Sequence, residues 1–160
     1  MKKQVKAIPE GYQSVIPHLI VKGAIQAIEF YQKALGAQET RRVTAPDGKS
    51  LLHAEIKIGD SRIFLADEVP QMGCLGPQSI GGSPVTIHLY SEDVDASFKQ
   101  AVAAGAVGKM PPTDMFWGDR YAVLADPFGH LWSFATHKED LTDEEMNKRA
   151  LDACAAAFNA

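Results

Sequence analysis

The sequence lacks the features that mark secreted, membrane-spanning and nucleic-acid-binding proteins. Its two cysteines, Cys74 and Cys154, form neither a metal-binding spacing nor a redox motif. No run approaches the roughly 18 apolar residues that a membrane-spanning helix needs. Lysine and arginine number 16 against 20 aspartates and glutamates, which gives a net charge of −4. We therefore expect neither a nucleic acid nor a membrane surface as partner.

Motifs of several large enzyme classes are also missing. The sequence has no nucleophile elbow, P-loop, dinucleotide-binding fingerprint or zinc-finger spacing. No apolar stretch of a secretory signal follows the first lysines, and this, with the scarcity of cysteine, favours the reducing cytoplasm. Of the 160 residues, 46% are hydrophobic and 22% charged, a composition typical of one globular domain or of two small modules that share a core.

What the sequence does contain is an internal repeat with an offset of 70 residues. The first copy has His18 in an apolar run, helix-spaced apolar residues from Ala24, and turn glycines. The matched positions are His18 and His88, Ala24 and Val94, Ile28 and Phe98, Tyr31 and Ala101, Gly48 and Gly118, Gly59 and Gly129, and Phe64 and Phe134. One offset that links strand, helix and turn positions predicts two βαβββ modules, with a binding cavity where they meet.

The pattern of strands, helices and turns places the module boundaries. The modules are predicted at 12–66 and 84–140, with a connector at 67–83 and a helical tail at 141–160. The connector contains two prolines and four glycines without periodicity, which is typical of a long loop. In the tail, Thr142 and Glu145 have the spacing of a helix capping box.

Polar residues share faces with the two repeated histidines. In the third strand, alternation places His53 and Glu55 on one face and Leu52, Ala54, Ile56 and Ile58 on the core face. If the modules pair, His18 and His88 are expected to approach each other, with His53 and Glu55 nearby. Imidazoles and a carboxylate suit either a divalent metal or proton transfer. Histidines that merely line a pocket or a module seam remain the alternative.

The segment 116–121 is rich in aromatic and charged residues. One interpretation is a wall that stacks on a planar ligand through Trp117, with Arg120 pairing an anionic group. The other is a dimer contact, or a Trp folded over the tail helix. Trp132 alternates with Ser133 and is predicted to lie in the core under a helix.

Four segments resemble one protein family in their order and spacing. They are FYQKALGA at 30–37, HAEIKIGDS at 53–61, HLYSEDVDA at 88–96 and WGDRYAVLADPFGHLWSFATH at 117–137. Over residues 12–140 the chain resembles the vicinal oxygen chelate superfamily, in particular the PhnB-like subgroup of the glyoxalase/bleomycin resistance protein/dioxygenase family. The resemblance implies an α+β fold in which two βαβββ modules form a curved mixed sheet, or partial barrel, with a C-terminal helix. It also implies a homodimer.

The resemblance bears on metal binding as well. The positions that match the superfamily's metal ligands are Ile16, Glu55, Thr86 and Ser133. Only Glu55 is a usual ligand, because isoleucine has no donor atom and a neutral hydroxyl replaces imidazole or carboxylate poorly. The usual metal site is thus mostly lost. His18 and His88 lie two residues beyond Ile16 and Thr86 on the same faces, so a displaced site with Glu55 is a further hypothesis.

We therefore expect a small-molecule-binding protein of the glyoxalase/bleomycin-resistance type, without a resident cofactor and with a second copy of the chain as partner. The predicted ligand contacts are His18, His53, Glu55, His88, Tyr90, Trp117 and Arg120; no catalytic residue is assigned. The alternative is a metal-dependent lyase, isomerase or dioxygenase with a divalent metal at His18, Glu55 and His88. A scaffold or partner protein is the third hypothesis, based only on the tail helix and the connector.

Overall fold

A computed structural model describes residues 5–158, with side chains through residue 155; the last two residues of the predicted tail lie outside this range. The chain divides into two compact units, residues 1–83 (unit 1) and residues 84–160 (unit 2). Each contains one four-stranded mixed sheet and one long helix after its first strand. The predicted α+β class with two βαβββ modules is confirmed. Among the described residues, no helix has the length and apolar character to cross a membrane.

Unit 1 follows the predicted order of elements. These are β1 (His18–Val21), α1 (Ala24–Leu35), β2 (Gln38–Thr44), β3 (Leu51–Ile58) and β4 (Ser61–Asp67). The sheet order is β1-β4-β3-β2, with β1 parallel to β4 and the other pairs antiparallel. The central strands β3 and β4 carry the inward apolar residues, so the core lies between them and α1.

Helix α1 forms because apolar residues recur on one face, and Ala24, Ile28 and Tyr31 are buried there. It ends at Gly36, whose positive φ of 64° suits a residue without a Cβ. Gly23 has no side chain to cap the helix start. Instead Asp67 Oδ1 accepts hydrogen bonds from the backbone N–H groups of residues 23 and 24, at 2.9 Å each.

The sequence pattern indicated that the connector is a long loop without regular structure, and the structure corrects this. It contains a 3₁₀ turn at Pro70–Met72 and a short helix, α2 (Pro77–Ile80), each begun by a proline, which is pre-set for the first helical position. A Cβ at Gly76 would lie 2.9 Å from the carbonyl oxygen of Ile20, so the connector approaches β1 closely and belongs to unit 1.

The prediction for Leu52 is also wrong. Strand alternation predicted that Leu52 lies in the core, but its exposed fraction is 56%. The pairing of β2 with β3 shifts register between Val43 and Thr44, where Val43 pairs with His53 and Thr44 pairs with Leu51. This irregularity breaks the alternation, so Leu51 is buried instead, at 1% exposed.

Unit 2 has the equivalent strand order. Its elements are β5 (Thr86–Tyr90), α3 (Val94–Ala104), β6 (Val107–Asp114), β7 (Asp119–Ala125), β8 (Leu131–His137) and α4 (Asp143–Phe158), with sheet order β5-β8-β7-β6. Trp132 is 1% exposed, which confirms its predicted core position. The capping box before α4 is confirmed too, since Glu145 accepts the Thr142 N–H at 2.9 Å and Thr142 Oγ1 accepts the Glu145 N–H at 3.3 Å.

Candidate functional site

Unit 1 contains a pocket of about 610 Å³ on the sheet face opposite α1. It is lined by Ala7, Ile8, Pro9, Tyr12, Gln13, Ser14, Ile16, Arg41, His53, Glu55 and Phe64. The segment before β1 supplies one wall, and β2, β3 and β4 supply the rest. A volume in the range of roughly 300–1,000 Å³, mostly apolar walls and a few convergent polar groups are what small-molecule sites show.

The buried carboxylate of Glu55 organises the polar part of this pocket, with 2% of the residue exposed. Tyr12 donates its hydroxyl to Oε2 at 2.6 Å, and Arg62 Nη1 lies 3.5 Å from the same oxygen. Oε1 is 3.3 Å from His53 Nε2 and 3.5 Å from Arg41 Nη1. Both oxygens are therefore occupied by groups of this chain.

These contacts set the ionisation of the site. Burial by itself would raise the pKa of Glu55, but the hydrogen bonds from Tyr12 and His53 and the charge of Arg41 outweigh it, so the pKa lies below its ordinary value. The same hydrogen bond, with Glu55 as acceptor, raises the pKa of the Tyr12 phenol. The carboxylate is thus held ionised and the phenol neutral.

His18 and His53, both predicted from the sequence, do meet in this unit. Their ring centroids are 6.1 Å apart, and the His53 ring lies 4.8 Å from that of Phe64. Partial burial, and then repulsion by His53, lower the pKa of His18, so its imidazole is neutral near pH 7.

Sequence reasoning missed Tyr12, Arg41, Arg62 and Phe64. Arg41 is the Cα partner of Glu55 across the β2–β3 pair, and it could have been found only with the register known. Arg62 and Phe64 share the Glu55 face through β4, where Phe64 pairs with Glu55. No sequence pattern indicated Tyr12, because it precedes the first strand and contacts Glu55 across 43 positions of sequence.

Three of the remaining predicted residues, His88, Tyr90 and Trp117, lie in an aromatic cluster of unit 2. The His88 ring lies 4.7 Å from Tyr90 and 6.1 Å from Tyr121, nearly parallel to the latter. Trp117, in the turn between β6 and β7, packs edge-on against Tyr121 at 5.4 Å. His88 Nδ1 is also 2.8 Å from the hydroxyl of the buried Ser133.

A buried carboxylate lies beside this cluster as well. Asp119, 6% exposed, is 3.2 Å from the Tyr90 hydroxyl and 2.8 Å from His137 Nδ1. The other ring nitrogen of His137 lies 2.9 Å from Asp140. Hydrogen bonds to Asp140 and to Asp119 raise the pKa of His137, so its charged form is stabilised.

Arg120 lies on the other face of the β7 sheet. Its guanidinium forms a two-point pair with Asp95 of α3, at 2.6 and 2.9 Å, and also contacts Asp114 at 3.1 Å. Alternation along β7 separates it from Tyr121. The aromatic cluster and the Arg120 charge therefore do not form one surface, and we do not place Arg120 in the candidate site.

The metal positions implied by the resemblance do not fit a cation. Ile16 lines the pocket without a donor atom, and both Glu55 oxygens face hydrogen-bond donors or cationic groups. Ser133 is engaged by His88. Across residues 5–158, no cluster of three or more His, Cys, Asp or Glu side chains is arranged to hold a metal ion.

Comparison with known proteins agrees with this fold. Residues 15–134 match the family model described as the Glyoxalase/Bleomycin resistance protein/Dioxygenase superfamily. An uncharacterised protein of Mycobacterium bovis is 49% identical over 134 residues, which cover 81% of this chain and 87% of that protein. The X-ray structure of an Arabidopsis thaliana gene product superposes with a TM-score of 0.62 at 28% identity, covering 78% of this chain and 98% of that one.

A PhnB protein from Bacillus cereus, described as a putative 3-demethylubiquinone-9 3-methyltransferase, has a TM-score of 0.61 at 16% identity. It covers 78% of this chain and 99% of its own. At that identity the likeness concerns the fold alone.

Proposed function

Because the chain belongs to the Glyoxalase/Bleomycin resistance protein/Dioxygenase superfamily, we propose that it is a small-molecule-binding protein whose ligand occupies the unit 1 pocket. One observation carries the proposal: a pocket of about 610 Å³ with apolar walls and a single buried, fully hydrogen-bonded carboxylate at its polar end. Glu55 holds Tyr12 and His53 in place, so this part of the pocket is formed before a ligand arrives. Binding without turnover is the activity that this arrangement supports best.

A thermal-shift screen of small aromatic and polar compounds tests the proposal. Hits are then repeated on the variant Ile16→Trp, which fills the pocket, and on the control Leu151→Trp, which adds the same ring on α4 at a position 72% exposed. We expect hits to stabilise the wild type and the control but not Ile16→Trp. Hits that stabilise all three proteins equally would place the ligand elsewhere and overturn the proposal.

The metal-dependent lyase, isomerase or dioxygenase is the second candidate, with His18, Glu55 and His88 as ligands. Its support is the approach of the His18 ring to His53, whose Nε2 in turn lies 3.3 Å from Glu55. The four groups already on the Glu55 carboxylate oppose it. The metal content of protein purified without chelator decides between the two candidates. About one equivalent of a divalent metal, lost in the double variant His18→Ala/His88→Ala, supports the metal-dependent enzyme. Metal absent from both samples removes it.

Finally, we propose that the protein is a cytoplasmic homodimer built from two repeated modules. The equivalent strand orders of the two sheets support the repeat. Strands β1 and β5 each lie at an edge of their sheet, and an edge strand favours pairing with a further strand. Sedimentation equilibrium measures the mass directly, and a single species of 17.3 kDa would overturn the homodimer.

A further inference from the structure

The charges around the unit 1 pocket define the class of ligand, an inference that rests on the proposed function. Among the described residues that line the pocket, Glu55 is the one carboxylate that could pair with a cation. Its two oxygens already face Tyr12, Arg62, His53 and Arg41. A cationic ligand would have to displace donors from a buried carboxylate, which is costly. The anionic group of the pocket is therefore not available to the ligand.

Arg62 is committed in the same way. Its Nε donates to the Gly11 carbonyl oxygen at 2.9 Å, and Nη1 donates to Thr40 Oγ1 at 3.2 Å. The guanidinium also lies 4.3 Å from the centroid of the Tyr12 ring. With 18% of its side chain exposed, Arg62 holds the pocket wall in place and offers little to a ligand.

Arg41 is different, because 62% of its side chain is exposed while it lines the pocket. Among the described residues its ion pair is with Glu55, and Nη1 lies 3.5 Å from Oε1. Its Nε and Nη2 donors point to no partner in that set. A guanidinium has five N–H donors in a planar fork that matches a carboxylate.

The charges of the cluster leave one positive charge uncompensated, since the two guanidinium groups of Arg41 and Arg62 face the single Glu55 carboxylate. Phe64 and Ile16 provide apolar wall beside it. We propose that the unit 1 pocket binds a small carboxylate, whose head pairs with Arg41 and whose apolar body lies against Phe64 and Ile16.

Three probes with the same aromatic ring test which ligand charge the pocket prefers. They are benzoate, which is anionic, benzamide, which is neutral, and benzylamine, which is cationic. Isothermal titration calorimetry gives their affinities for the wild type, for Arg41→Gln and for the control Arg42→Gln. Arg42 is the neighbouring arginine on β2, and it is already paired with Glu39 at 2.6 and 2.8 Å. Both substitutions remove one positive charge from the same strand, so the pair separates a local contact from a change in net charge.

We expect benzoate to bind the wild type more tightly than benzamide, and benzylamine to bind most weakly. Arg41→Gln should weaken benzoate by about ten- to hundredfold, the range for a lost hydrogen bond to a charged group. Benzamide should be unaffected, which also shows that the variant pocket is folded. Arg42→Gln should change none of the three affinities beyond the small effect of net charge.

Equal affinity of the wild type for benzoate and benzamide would overturn the inference, and so would an equal loss of benzoate affinity in Arg41→Gln and Arg42→Gln. If all three probes bind equally and Ile16→Trp abolishes all of them, the pocket function stands and only the carboxylate preference is wrong. If benzoate still binds Ile16→Trp, the site of carboxylate binding is elsewhere and the inference fails. Absence of benzoate binding at millimolar concentration also refutes it, whereas the pocket function is then decided by the separate compound screen.

Discussion

Replacing Glu55 by Gln tests whether the buried carboxylate holds the pocket together. The substitution keeps the shape and one acceptor oxygen but removes the charge. Tyr12 then donates to a neutral group instead of an ionised one, and Arg41 and Arg62 lose their counter-charge. Because Glu55 is 2% exposed, water cannot take the place of the lost charge at residue 55.

The magnitude follows from these contacts. The hydrogen bond from Tyr12, at 2.6 Å, is a strong charge-assisted one. The two guanidinium contacts are long, at 3.5 Å each, and Arg41 is free to turn toward solvent. We therefore expect a loss of about 2 kcal/mol in the free energy of unfolding, within the range for a hydrogen bond to a charged group. This corresponds to about 4–8 °C in Tm for a chain of this size.

The loss should depend on pH with a definite sign. The folded pKa of Glu55 lies below its ordinary value, so its ionised form stabilises the folded protein. That contribution is fully present above the unfolded pKa of about 4.3 and disappears as the pH falls through the folded pKa. The wild type and Glu55→Gln should therefore differ at pH 7 and converge in acid.

Urea denaturation at several pH values, at one protein concentration, measures this difference. Glu39→Gln is the matched control, because Glu39 also pairs with an arginine of β2 but its side chain is 23% exposed and that of Arg42 39%. A pair that water reaches in this way contributes about 0–1 kcal/mol. A Glu55→Gln variant as stable as the wild type at pH 7, or one whose deficit persists in acid, would refute the role given to the carboxylate.

Two further predictions concern unit 2 and its tail. Gly118→Ala should lower the free energy of unfolding by about 2 kcal/mol more than Gly48→Ala, the substitution at the matching position of the repeat. The new Cβ at residue 118 would lie 2.6 Å from the Glu139 carbonyl oxygen, whereas nothing lies within 4 Å at Gly48. Equal urea midpoints for the two variants would contradict this prediction. The pKa of His137 is raised by Asp140 and then by Asp119, so the stability it contributes is present below about pH 6.5 and is lost as the pH rises through the folded pKa. Asp140→Asn should lower the His137 pKa in an NMR titration, and an unchanged value would rule out the contact.

Local patterns were sufficient for most of the fold. Apolar spacing from Ala24 and from Val94 predicted α1 and α3, and the following glycines predicted their ends. The connector and Leu52 were predicted wrongly for different reasons. Prolines that begin short helical turns resemble prolines in loops, and the β2–β3 register shift at Leu51 leaves no local sign in the alternation.

The candidate site was predictable only in part. Alternation in β3 predicted that His53 and Glu55 share a polar face, and the structure places them 3.3 Å apart. It could not indicate that Glu55 would be saturated, because its partners come from β2, from β4 and from the segment before β1. Arg120 shows the same limit, since adjacency to Trp117 in sequence suggested a shared surface while strand alternation separates it from Tyr121.

The sequence by itself determined the two βαβββ modules, the turns between their strands and the presence of a carboxylate on an inward strand, because these depend on periodicity and on glycine conformations that act locally. The tertiary structure alone decided what that carboxylate does. Strand register set Arg41 opposite Glu55, and chain reversal before β1 brought Tyr12 onto it. Such contacts depend on long-range pairing and burial, which no local period encodes, and they leave Arg41 as the exposed charged group that lines the pocket.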